Sequence, residues 1–426
     1  MNCKNTAIKI LTEFCRLLIG VTFIFSGFVK ADDPVGGAIK IGDYLSAFGW
    51  DVLQPFTTLA SFILSATEFT MGVCMLLGVY RRYNTFLVLL FMAFMTPLTL
   101  CLALFNPVSD CGCFGDAIVI SNWATFFKNL VLLAAAVMVF KHYEKMLQCF
   151  TFKAYWFVAL FAYFFCISFA SWNYNHLPMI DFRPFKIGAN IPELMTVPEG
   201  APEAVYEYTF VYEKDGTKKE FTMDNYPEGD STWTFVETKE KLIKEGYIPP
   251  ITPFSIVDGD DRDVTDEIWH NPNPVFLLIS PRLEKADDEK TDEINNVYDY
   301  ALEREWPFYC VTGSSAETIK EWSDYTGAEY PFRMTDDVVL KTIIRSNPGL
   351  VLLKDGVVLA KWHYNDIPDE EHLKSAVDEC LNGGMAKGKE DGWLVIILPT
   401  FTVPLLLVWV YDFYRSRPRR KEETAE

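Results

Sequence analysis

Six long apolar stretches constrain this 426-residue chain more than any other feature. A helix needs about 20 mostly apolar residues to cross the hydrocarbon of a bilayer. Leu11–Val29, Phe56–Val79, Thr85–Phe105, Trp123–Phe140, Tyr155–Trp172 and Trp393–Tyr411 are all of that order. Trp123, Trp156, Trp172 and Trp393 fall near the expected ends, where amphipathic rings favour the membrane interface. Pro97, Pro399 and Pro404 lie inside spans, which membrane helices tolerate when neighbours satisfy the freed carbonyls. The first apolar run is too long for the core of a signal peptide, and no small-x-small cleavage pattern follows Lys30, so it reads as a retained span.

The basic residues set an orientation. Lys4, Lys9 and Arg16 precede or open the first span. Arg81 and Arg82 separate the second from the third. Lys141, Lys145 and Lys153 separate the fourth from the fifth. Arg415, Arg417, Arg419, Arg420 and Lys421 follow the sixth. Strict alternation of six spans brings all four clusters to one side, which the positive-inside rule makes cytoplasmic. The expectation is a multi-pass protein of a bacterial inner membrane, in contact with lipid and with both termini cytoplasmic. The loops at 30–55 and 106–122, and all of 173–392, then lie outside.

Charge separates this outer segment from the rest. Residues 173–392 hold 22 Lys and Arg against 44 Asp and Glu, a net of -22, whereas the remainder is close to neutral. So acidic a segment repels phosphate, so no nucleic-acid partner is expected. Residues 173–205, rich in Pro, Asn and Gly, read as a linker. Val205–Asp224 alternates about Asp215-Gly216, a hairpin signal. Trp233–Gly246 reads as a strand followed by a short helix. The four aspartates of Asp258–Asp263 lack the ligand spacing of a calcium loop and read as an acidic turn.

From Pro274 the pattern turns α/β. Val275–Ser280 and Phe308–Thr312 are short strands. Lys285–Glu305 and Ala316–Thr326 are helices. Leu350–Leu353 and Val357–Trp362 form a hairpin through Asp355-Gly356, and Glu370–Leu381 is a last helix. This order resembles the thioredoxin-like superfamily, and Pro348 stands where that fold keeps its cis-proline. The resemblance implies a redox Cys-x-x-Cys at the start of the first helix. Here that place holds Ser280-Pro281-Arg282-Leu283-Glu284, without a thiol and so without exchange chemistry. The domain is expected to bind or position rather than react.

The ten cysteines sort by topology. Cys3 and Cys149 fall on the reducing side, and Cys15, Cys74, Cys101 and Cys166 fall in spans. Cys310 and Cys380 lie in the outer domain at positions compatible with a disulfide. Cys111 and Cys113 differ from these, because Asp110-Cys-Gly-Cys-Phe-Gly-Asp116 is a short loop on the oxidising side. Two cysteines flanking Gly112 can close a small ring of the labile kind, with Gly112 and Gly115 freeing the backbone. A structural staple, with Cys101 as a further partner, remains the alternative. The five histidines supply no cluster that would complete a metal site. Glu68, an ionisable residue inside a span, is a functional candidate whose partner is Arg16, Lys30 or a watery cavity; an interhelical packing contact is the competing reading.

Residues 11–140 resemble the DoxX-like membrane proteins, and more closely their MauE-like branch, associated with methylamine utilisation. Three features carry the resemblance: Arg16–Gly20 through Ser26–Lys30, Glu68 with Gly72 and Gly78, and Asp110-Cys111-Gly112-Cys113-Phe114-Gly115. It implies a four-helix membrane domain with a role in thiol-disulfide chemistry outside the cytoplasm. The expected divisions are a membrane domain at 1–150, a fifth span at 151–175 and a linker with a small β-containing region at 176–270. A thioredoxin-like domain lacking Cys-x-x-Cys follows at 271–385, and the sixth span with a basic tail occupies 390–426.

Two functions fit this plan. In one, Cys111 and Cys113 exchange electrons with an extracytoplasmic protein, a membrane quinone being the candidate cofactor. Gly112, Phe114, Gly115 and Glu68 then support the pair. In the other, the chain is a non-catalytic scaffold whose acidic domain binds an envelope or secreted protein. A channel or transporter is a weaker third, as no inverted repeat is evident.

Overall fold

The computed structural model describes residues 3–108, 110–202, 205–214, 216–222, 225, 232–244, 246–383 and 392–416. Its first half is helical: α1 (Cys3–Asp32), α2 (Pro34–Ala47), α3 (Thr57–Leu77), α4 (Arg81–Phe105), α5 (Asn122–Lys141) and α6 (Tyr155–Asn175). Glycine sets the approach of α1 to α3. A Cβ on Gly27 would stand 2.5 Å from the Phe69 nitrogen, and one on Gly72 would stand 2.6 Å from that of Ile24. The bare backbones therefore touch, as small residues allow between membrane helices. Gly78, at φ +64°, ends α3 in the left-handed conformation that favours glycine.

One end of this bundle gathers the basic turns. Arg81 Nη1 donates to the carbonyl of Met146 at 2.8 Å, and the Leu147 amide donates to Glu13 Oε1 at 2.7 Å. The Arg16 side chain pairs with Glu13 at 2.6 Å and also reaches the carbonyl of Leu76. The turns after α3 and after α5 thus meet the start of α1.

After α6 come α7 (Ile191–Met195) and a three-stranded antiparallel sheet of β1 (Val205–Lys214), β2 (Thr217–Thr222) and β3 (Thr234–Lys244), in the order β2-β1-β3. β3 corrects the expected strand-then-helix. Its Lys and Glu favour helix locally, but pairing with β1 from Val205 to Glu213 carries the extended backbone through to Lys244. Asp215 and Asp224, at the expected hairpin, lie outside the described residues.

The α/β domain follows with α8 (Thr265–Trp269), β4 (Val275–Ser280), α9 (Thr291–Leu302), β5 (Phe308–Thr312), α10 (Ala316–Thr326), β6 (Phe332–Met334), α11 (Asp337–Ile343), β7 (Gly349–Lys354), β8 (Val357–His363) and α12 (Glu370–Leu381). The sheet order is β6-β5-β4-β7-β8, with β4, β5 and β6 parallel and β7 antiparallel to both β4 and β8. β4 is buried along its whole length because both faces are covered, which is why it reads as an unbroken apolar run. Phe276 and Leu278 face Ile294, Val297, Trp322 and Val377. Leu277 and Ile279 face Ile191, Ile256, Trp269 and Leu340, so residues before 271 cover the sheet's second side. Asp355 and Gly356, both at positive φ, make the expected β7–β8 turn, and the Asn347–Pro348 bond is cis.

The helix expected at Lys285–Glu305 begins only at Thr291. Leu283–Lys285 forms a single 3-10 turn, and Asp287 and Asp288 lie in the loop between. Cys310 and Cys380 are both buried, but as separate thiols. Cys380 Sγ instead lies 2.9 Å from the carbonyl of Ala376.

The chain returns through α13 (Gly392–Ser416), which packs on α6 and α3 with the Phe401 ring among Phe69, Phe161 and Phe165. Asp412 near its end accepts from the amide and hydroxyl of Thr151, at 2.6 Å each. Among the described residues, five helical stretches are long and apolar enough to cross a membrane: Asp51–Leu77, Arg81–Phe105, Asn122–Lys141, Phe152–Asn175 and Val395–Arg415. α1, which contains the sixth expected span, is not among them. It carries Glu13, Arg16, Lys30 and Asp32, and its outward apolar side chains include Ile10, Leu11, Phe14, Leu17 and Val21.

Candidate functional site

The loop between α4 and α5 is folded back by its own side chains. Asp110 Oδ1 accepts from the Gly112 amide at 2.8 Å, and Lys40 Nζ holds the other Asp110 oxygen at 2.6 Å. Tyr44 donates to the Cys111 carbonyl at 2.8 Å. Gly112 at φ +62° and Gly115 at φ +52° take backbone conformations that a side chain would strain. The result places Cys111 Sγ and Cys113 Sγ 2.7 Å apart.

Three helices support Cys113. Ser26 on α1 lies 2.7 Å from the Cys113 carbonyl oxygen and 2.7 Å from Glu68 Oε2 on α3. Lys30 Nζ lies 2.7 and 2.9 Å from the two Glu68 oxygens and 3.0 Å from Ser26 Oγ. Lys128 on α5 sits 4.1 Å above the Phe114 ring, which itself packs edge-on against Phe25. Cys113, Phe114, Lys30, Glu68 and Lys128 line a shared cavity of about 30 Å³, the scale of a water molecule. With both sulfurs reduced, the Cys111 thiol donates to Cys113 and holds it below the usual thiol range. Lys128 and Lys30 act in the same direction against desolvation and Glu68. Cys111, as the donor, is pushed up by that bond, by burial and by the Cys113 charge.

The α/β domain sits directly over this loop. Arg345 Nε lies 2.8 Å from Asp33 Oδ2 and its Nη2 lies 3.0 Å from Asp116 Oδ2. Asn365 Nδ2 donates to the Asn175 carbonyl at 2.8 Å, and the Ile180 amide donates to Asp32 at 3.2 Å. Between domain and bundle lies an open cleft of about 700 Å³, walled by Val35, Ala38 and Ile39 of α2 and by Pro281, Arg282 and Asn347 opposite. α2 presents Lys40 and Tyr44 to the cysteine loop from the face turned away from this cleft.

Glu68 thus finds Lys30 rather than Arg16. Glu68, Gly112, Phe114 and Gly115 all gather around the cysteine pair. Cys101 is a separate, exposed thiol on α4. Among the described residues, no group of three or more His, Cys, Asp or Glu could hold a metal. Sequence reasoning reached Ser26 only as part of the Ser26–Lys30 signature, without its contacts, and did not reach Lys40, Tyr44, Lys128 or Arg345. Lys128 was legible as a lysine within an apolar run; the others enter only through tertiary contact.

Fold and site together define a multi-pass membrane protein with a helical domain and a separate α/β domain. Residues 8–141, spanning α1 to α5, match the family model for Methylamine utilisation protein MauE. Residues 206–245, the three-stranded sheet, match the Domain of unknown function (DUF8463). No curated protein matches the chain. A solution structure of a candidate protein disulfide isomerase from Bacteroides thetaiotaomicron is similar at 16% identity and a TM-score of 0.26, over 32% of this chain and 89% of that one.

Proposed function

We propose that the chain is a thiol-disulfide redox component of a bacterial inner membrane, acting on an extracytoplasmic protein through Cys111 and Cys113. The observation that carries this reading is the pair itself. Two sulfurs stand 2.7 Å apart in a loop shaped by two left-handed glycines, with two lysines on neighbouring helices beside Cys113. A thiolate favoured at one sulfur and a proton held at the other is the asymmetry that exchange requires. The MauE match over 8–141 supports a bundle of this kind, and the same reading takes it as DoxX-like.

In this reading α1 is a sixth span, its Ile10, Phe14, Leu17 and Val21 stripe meeting lipid. The basic turns at one end of the bundle face the cytoplasm and the α/β domain faces out. The domain is thioredoxin-like in strand order but has no thiol in Ser280–Glu284. A membrane quinone is the candidate electron partner in this reading, meeting the pair from outside the small cavity of about 30 Å³ beside Cys113.

The test is alkylation of Cys111 and Cys113 in membranes before and after reduction, with Cys111→Ser/Cys113→Ser as control. Exchange with a reduced or oxidised model peptide that the double variant lacks supports the proposal. A pair that resists reductant, or a double variant with wild-type exchange, removes it.

A second reading has its own observation. The α/β domain, which has no thiol at Ser280–Glu284, is clamped over the loop by Arg345, as a scaffold stapled by the cysteines would be. Capture of one envelope protein through residues 173–392, unchanged in the double-cysteine variant, favours it.

A further inference from the structure

We infer that Lys128 is the counter-ion of the reduced cysteine pair, a positioning residue that the Phe114 ring holds beside Cys113 to meet the negative charge gained on reduction. The inference rests on the thiol-disulfide reading above.

The placement of Lys128 carries it. It stands six residues into α5, a helix long and apolar enough to cross a membrane. A lysine there has two ordinary fates, to pair with a carboxylate or to stretch its ammonium to the membrane surface. Lys128 takes neither. Among the described residues it forms no ion pair, whereas Lys30 is committed to Glu68 at 2.7 Å and Lys40 to Asp110 at 2.6 Å. Its ammonium turns inward instead, 4.1 Å above the centroid of the Phe114 ring. That ring is fixed edge-on against Phe25 of α1, with centroids 5.3 Å apart, and it belongs to the residue next to Cys113. A ring face attracts a cation without cancelling its charge. Lys128 and Cys113 line the same water-sized cavity, so the charge is delivered where the sulfur stands. After the Cys111 hydrogen bond, Lys128 favours a thiolate at Cys113 more than Lys30 does.

The exchange step uses this charge. The sulfur held as a thiolate is the better leaving group. A dithiol of the extracytoplasmic partner, with one sulfur ionised, attacks Cys111 Sγ of the disulfide. The partner–Cys111 bond forms, the Cys111–Cys113 bond breaks, and the electron pair leaves on Cys113 beside Lys128. The partner's second thiol then attacks its own first sulfur. A partner disulfide forms, the partner–Cys111 bond breaks, and Cys111 leaves with that electron pair and the proton of the attacking thiol. The partner loses two electrons and one proton, and the cysteine pair gains both, as a Cys113 thiolate and a Cys111 thiol. The charged and titratable groups facing Cys113 are Lys30 of α1, Tyr44 of α2, Glu68 of α3, Lys128 of α5 and Cys111, with the Lys40–Asp110 pair beside Tyr44. The α4 residues lining the cavity, Phe91, Met92 and Met95, carry no charge.

Full-length protein in membranes provides the test. Alkylation of reduced Cys113, resolved from Cys111 by peptide mass, is followed against pH, together with the equilibrium against a dithiol peptide. In Lys128→Met the Cys113 inflection moves to higher pH by roughly one unit, and above it the equilibrium constant for reducing the pair falls about ten-fold. Below the wild-type inflection Cys113 is protonated in both proteins, Lys128 has no thiolate to meet, and the two constants converge. Lys128→Arg keeps most of the wild-type behaviour. Phe114→Leu keeps the charge but not its seat, and shifts the inflection in the same direction by less. Lys128→Gln repeats the measurement should Lys128→Met melt below the wild type. An unmoved inflection in both neutral variants, a loss in Lys128→Arg equal to theirs, or a change in the constant that is the same at every pH overturns the counter-ion and leaves the redox reading standing. No exchange in the wild type overturns both.

Discussion

Arg345 reaches from the α/β domain to Asp116, its Nη2 3.0 Å from Oδ2, only three residues after Cys113. The same guanidinium holds Asp33, the N-cap of α2, at 2.8 Å. Its charge is strengthened against burial by these two carboxylates. One side chain thereby ties the α/β domain to the cysteine loop and to the helix that walls the cleft.

Removing that side chain strands a buried contact. Arg345→Ala leaves Asp33 and Asp116 without their partner, a change of about 3 kcal/mol for a buried pair and less here because Asp116 is partly hydrated. The expected outcome is a lower melting temperature in detergent and faster alkylation of Cys113. Arg345→Lys rescues little, since an ammonium cannot fork between two carboxylates. Wild-type alkylation in both variants would show that the domain does not cover the loop.

The α1–α3 contact admits no added carbon. Gly27→Ala puts a Cβ 2.5 Å from a backbone nitrogen that has no rotamer to yield, and forced overpacking of this kind costs about 1–3 kcal/mol. The expected result is a lower melting temperature together with loss of the Lys30–Glu68 distance, readable as a changed pH profile of Cys113. An unaltered melt would mean that the helices stand further apart than this.

His363 makes acid tolerance measurable. Burial pulls its imidazole down to about 4; His176 acts the same way, and Asp366 opposes. As pH falls below about 6.5 the unfolded chain takes up this proton first, and the folded chain only near 4. Stability is therefore present above about 6.5 and is lost across that window. In His363→Gln the dependence of melting on pH should flatten there. Parallel curves for variant and wild type would assign the acid loss to carboxylates alone.

The sheet core can be weakened without touching the cysteines. Leu278, fully buried on β4, should cost about 2–5 kcal/mol on replacement by Ala. Exchange at Cys111 and Cys113 measured below the lowered melting temperature should remain. Its loss would show that the α/β domain contributes to the chemistry by more than covering the loop.

Much of this was legible in the chain. The apolar runs announced their helices because membrane spans need uniform hydrophobicity, and β4, β5, β7 and β8 announced themselves as short apolar strands between turn residues. The Cys-Gly-Cys loop stood out because its glycines and flanking aspartates are local features. The strand nature of β3 did not, because its Lys and Glu favour a helix until β1 lies alongside. The delayed start of α9 and the central position of α1 likewise depend on neighbours rather than on local pattern. The contacts of Ser26 and Arg345 were invisible for the same reason: each residue matters for what it meets, across 42 and 229 residues of sequence respectively.

The α/β domain lies between α6 and α13, so a membrane helix grips the chain at both ends of the segment. A domain leashed twice cannot diffuse away from the loop beneath it, and its concentration there is set by the length of its tethers, on the order of millimolar for short flexible ones. Contacts as few as those of Arg345 and Asn365 then suffice to keep it seated. Uncovering the loop becomes a matter of tilting a captive lid rather than dissociating a partner.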